Sequence, residues 1–88
     1  MGVVAFNRQR HDLINLHRDI DKLIALTTTL CGEEWCPEMK TSVANARTIY
    51  DQILTRWAAA TMSPEEESVI DVKMGRVRSR LSFLGEKL

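Results

Sequence analysis

The residues most capable of chemistry in this 88-residue chain are two histidines, a scatter of aspartates and two cysteines. His11 and His17 fall on one helical stretch, roughly 120° apart around its axis, so they cannot hold one metal together. His17 and Asp21 are one turn apart and can share a hydrogen bond. A general base needs a nucleophile or a substrate pocket within reach. Helical spacing puts no serine, cysteine or threonine beside either histidine. An enzyme would therefore need a site shared between subunits around His17. Asp12 and Asp19 share a face but stand two turns apart, roughly 10 Å, too far to share a cation. Together with Asp21 they read as a solvated flank that pairs with basic residues on the next helix.

Cys31 and Cys36 bracket Gly32-Glu33-Glu34-Trp35. Two thiols do not make a zinc site, and the spacing is not Cys-x-x-Cys. Three readings stay open: reduced, partly buried thiols, a bridge stapling two helix ends, or a metal or redox role. An intracellular setting favours the first. The chain carries no glycine-rich phosphate loop, no His-Glu-x-x-His and no EF-hand loop. We expect no catalytic residue, no metal, no cofactor and no enzymatic activity.

The last third of the chain carries a less bland surface. Between Val72 and Ser82 lie four basic residues, Lys73, Arg76, Arg78 and Arg80, and no acid. Lys73, Arg76, Arg80 and Lys87 fall within a ~60° arc of a helix, with Val69, Val72 and Phe83 on or beside it. This strip faces away from the main apolar stripe of the same segment. One explanation is a helix wedged between two neighbours, with basic side chains laid over apolar surface. The other is a partner-binding surface of Val69, Val72, Lys73, Arg76, Arg80 and Phe83, since arginine beside exposed apolar groups is a usual interface composition. Contact with phosphate or nucleic acid is the alternative use. A formal net charge of zero and the lack of exposed stacking aromatics weigh against it.

These residues need elements to position them, and the apolar spacing supplies three. The first helix is expected over about 5–31, with Phe6, Leu13, Ile20 and Thr27 recurring every seven residues and Leu16, Leu23 and Leu30 between them. Gln9 is the polar exception. Ile14 lies far round the helix and is expected at the surface. Gly32 is placed to end this helix in a left-handed conformation. The second helix is expected over 37–62, with Pro37 in its first turn and a stripe of Met39, Val43, Ala46, Tyr50, Ile53, Trp57 and Ala60. The short connection predicts an antiparallel hairpin whose register sets Asp12 against Arg56 in a salt bridge.

Ser63-Pro64-Glu65-Glu66 is the strongest local signal. Ser63 is an N-cap, Pro64 suits the first helical position and Glu66 completes a capping box. The third helix then runs over about 64–84, with a stripe of Ile70, Met74, Val77, Leu81, Leu84 and Leu88. Gly75 inside it suggests a close backbone approach, and Gly85 a stop.

The predicted fold is all-α: one domain over 1–88, either a three-helix antiparallel bundle (up-down-up) or a long helical hairpin that completes its core in a dimer. No stretch approaches the roughly 20 apolar residues of a membrane span. The N-terminus lacks a basic region and a long apolar run, so it is not a signal peptide. Cytoplasmic residence is the expectation. The composition points to a small non-enzymatic interaction protein, an adaptor, inhibitor or regulator, that forms a homo-oligomer (a dimer for preference) and docks on a larger protein.

Overall fold

A computed structural model describes the backbone of residues 2–88 and the side chains of residues 12–88. Expectations for Phe6, Gln9 and His11 lie outside the described side chains. Three helices follow one another: α1 (Gly2–Gly32), α2 (Met39–Ala59) and α3 (Pro64–Phe83). Their arrangement is the up-down-up bundle, with α2 antiparallel to α1 and α3 parallel to it. The molecule measures 52 × 21 × 19 Å, its length set by α1. The backbones of α2 and α3 each lie close along α1 and approach one another least.

The heptad seam of α1 explains its central place. Leu16, Ile20, Leu23, Thr27 and Leu30 are buried, while Ile14 on the far side is 50% exposed. The main core joins Leu16, Ile20 and Leu23 to Ala46, Tyr50 and Ile53 of α2 and to Ile70, Met74, Val77 and Leu81 of α3. A smaller cluster of Leu30, Met39 and Val43 closes the end where α1 turns into α2, with Cys36 and Leu84 packed against it. Thr27 is the one buried polar side chain among the described residues. Its hydroxyl donates back to the carbonyls of Leu23 and Ile24, at 2.9 and 3.1 Å, so the seam holds no orphaned donor there.

Several boundaries differ from expectation, each for a local reason. Pro37 does not open α2. Residues 36–40 form tight turns, in which the N–H groups of Met39 and Lys40 donate to the carbonyls of Cys36 and Pro37, and the helix begins at Met39. At its other end α2 stops at Ala59. Ala60 turns extended, with ψ near 145°, because the chain must reverse within a few residues to enter α3. Ala60 is accordingly exposed and Trp57 only half-buried. Gly32 is the last residue of α1 and not a left-handed cap, since Gly85 alone among the described residues has positive φ (96°).

Gly85 performs the expected stop. Its N–H donates to the Ser82 carbonyl and that of Glu86 to the Leu81 carbonyl, both at 3.0 Å, the paired bonds of a Schellman ending. Ser63 caps α3 as predicted and accepts from the Glu66 N–H at 3.3 Å. The return bond departs from the standard box: the Ser63 hydroxyl donates to the Glu66 carboxylate at 3.2 Å, in place of the Ser63 backbone N–H.

Candidate interaction surface

Two strips of α3 face opposite ways. Ile70, Met74, Val77 and Leu81, at spacings of four, three and four, are buried to 3% exposure or less. About 180° round the helix runs the second strip, Glu65, Val69, Val72, Arg76, Ser79 and Phe83, with the same alternation of four and three. Val69, Val72 and Phe83 are 48%, 58% and 75% exposed, so neither α1 nor α2 covers this strip. The wedged-helix explanation therefore fails within a single chain. A shallow hollow on the strip is bounded by Val72, Gly75, Arg76, Ser79 and Arg80. Gly75 is one of the residues that bound it. Nothing lies within 4 Å of where a Cβ would stand there, so Gly75 permits no close approach by another helix of the chain, contrary to expectation.

The basic residues divide into three kinds. Lys73 turns inward to α1, with its ammonium 2.9 Å from the Asp21 carboxylate and 3.5 Å from Nδ1 of His17. Arg80 is half-buried, with its Nη1 out of solvent and lacking a hydrogen-bond partner, and its backbone carbonyl accepts from the Cys31 thiol at 3.7 Å. Arg76 and Arg78 are exposed and form no ion pair among the described residues. Of the six residues singled out in the sequence, Val69, Val72, Arg76 and Phe83 thus share an open face, whereas Lys73 and Arg80 lie at its margin. Glu65 and Ser79 belong to the same strip and were missed. Their signal was the repeat 65, 72, 79 interleaved with 69, 76, 83.

The remaining candidate chemistry is occupied structurally. His17 is half-buried beside Lys73, which takes Asp21 for itself, and no hydroxyl or thiol bonds to the imidazole among the described residues. Asp19, not Asp12, pairs with Arg56, at 2.6 Å. Arg56 lines one hollow with Asp12 and another with Asp19, and its long side chain takes Asp19 as its ion-pair partner. Cys31 and Cys36 are free thiols, both half-buried. Among the described residues no group of three or more histidine, cysteine or acidic side chains could hold a metal ion. No described helix is long and apolar enough to cross a membrane. Comparison with protein-family models, with curated proteins and with solved structures finds no match.

Proposed function

We propose that this chain is a small non-enzymatic interaction protein that self-associates and docks on a larger protein through the outer strip of α3. One observation carries the reading: Val72 and Phe83 stand 58% and 75% exposed on a helix whose opposite strip is sealed in the core. Folding alone gives no reason for that second apolar strip. Arginine next to it suits an interface, where guanidinium groups tolerate partial desolvation and pair with carboxylates in two-pronged fashion.

The triple variant Arg76→Glu, Arg80→Glu, Phe83→Ala tests the docking. Proteins retained from source lysate by the wild type and lost by the variant should rebind the wild type when purified, with helicity unchanged by circular dichroism. An identical retained set for both proteins removes the docking reading. The absence of any acid between Val72 and Ser82 favours a second reading, contact with a phosphorylated ligand or nucleic acid. That reading requires affinity that falls steeply with salt. The diversion of Lys73 to Asp21 leaves it fewer cations.

A further inference from the structure

The outer strip of α3 is patterned by charge as well as by apolarity. Its acid, Glu65, comes in the first turn and its cation, Arg76, follows three turns later, with Lys73 diverted to Asp21 of α1. Val69 and Val72 lie between those two charges, both about half exposed. From this order we infer that the strip is self-complementary, and that its occupant is the same strip of a second copy, laid antiparallel about a two-fold axis between Val69 and Val72. In that register Val69 of each copy meets Val72 of the other. Glu65 of each then meets Arg76 of the other, one ion pair closing each end of the apolar centre.

The alternatives fail on charge. Sliding the antiparallel pair one heptad toward the C-termini sets Val72 against Arg76 and Glu65 against Phe83. A further heptad brings the two cationic blocks together with no acid between them. Sliding the other way sets Glu65 against Val69. A parallel pair stacks Glu65 on Glu65 and Arg76 on Arg76, and like charges in contact disfavour a pairing. The antiparallel arrangement also opposes the two helix dipoles. In an antiparallel coiled pair each knob enters a hole of four facing residues. The spacing of four and three along Glu65, Val69, Val72 and Arg76 fits that geometry.

The paired segment, 65–76, is about 18 Å long. An interface of that length falls in the small class, so association is reversible and depends on concentration. Phe83 lies beyond the paired segment and stays available for docking. The pairing rests on the reading that the outer strip of α3 is an interaction surface, yet the two can fail separately.

Sedimentation equilibrium up to about 0.5 mM is the measurement, a range that resolves dissociation constants well into the micromolar. The wild type should dimerise. Glu65→Arg and Arg76→Glu should each weaken dimerisation at least ~10-fold, because each turns two attractive contacts repulsive. Mixing the two variants should restore dimers, since every contact between 65 and 76 is again of opposite sign. Val72→Lys should leave a folded monomer, and Phe83→Ala should dimerise like the wild type. A monomeric wild type at the highest concentration overturns the pairing, and so does a charge-swapped mixture that stays monomeric. A monomer that binds an acidic helix of another protein on this strip also overturns it, while leaving the docking reading intact.

Discussion

Ser63 shows how much a single hydroxyl settles. It accepts from the Glu66 N–H at 3.3 Å and fixes where α3 begins. Ser63→Ala should cost ~1 kcal/mol of stability, read as a lower denaturant midpoint at unchanged slope. Gly75 has the opposite outlook. It is exposed within a helix, its φ is not positive, and nothing approaches its missing Cβ. Gly75→Ala should therefore stabilise the fold by ~0.5–1 kcal/mol, visible as a rise in Tm. The two residues also mark what a sequence can tell. The cap was legible because its partners are three residues away. The surroundings of Gly75 depend on where other helices pass, which local spacing does not encode. Thr27 belongs with the cap, since its hydroxyl bonds within its own helix and its place in the heptad foretold its burial.

Among the elements, the helices and their antiparallel pairing were readable, and the choice of ion-pair partner was not. Apolar spacing predicted most of the buried stripes of α1 and α3, but Leu13 and Leu84 are only half-buried and Leu88, past the end of α3, is exposed. The start of α2 was misjudged by two residues, because Pro37 is as compatible with a tight turn as with a first helical turn. Arg56 nonetheless pairs with Asp19 and not with Asp12, a choice between two aspartates on one flank that apolar spacing does not make. A double-mutant cycle on Asp19 and Arg56 should give a coupling of ~0.2–1 kcal/mol that shrinks with added salt, both groups being substantially exposed. The same cycle on Asp12 and Arg56 should give none. The outer strip of α3 was half legible. Its apolar members and Arg76 stood out by composition. Glu65 did not, because an acid in a first turn is already accounted for by the helix dipole.

The whole molecule is slender, 21 × 19 Å across, and so has little interior to lose. Core truncation should be felt strongly. Ile20 and Leu81 are both fully buried in the main cluster. Ile20→Ala or Leu81→Ala should each remove ~2–5 kcal/mol, enough to unfold much of the population of so small a domain. Circular dichroism at 25 °C would show it as lost helicity. Phe83→Ala, at 75% exposure, should leave the melting curve where it is. That contrast separates residues that hold the fold from those that face outward from it.

Because the backbones of α2 and α3 lie closer to α1 than to each other, α1 acts as the spine of a core that all three helices share. Deuterium uptake should therefore reach the amides of Leu16–Leu30 last.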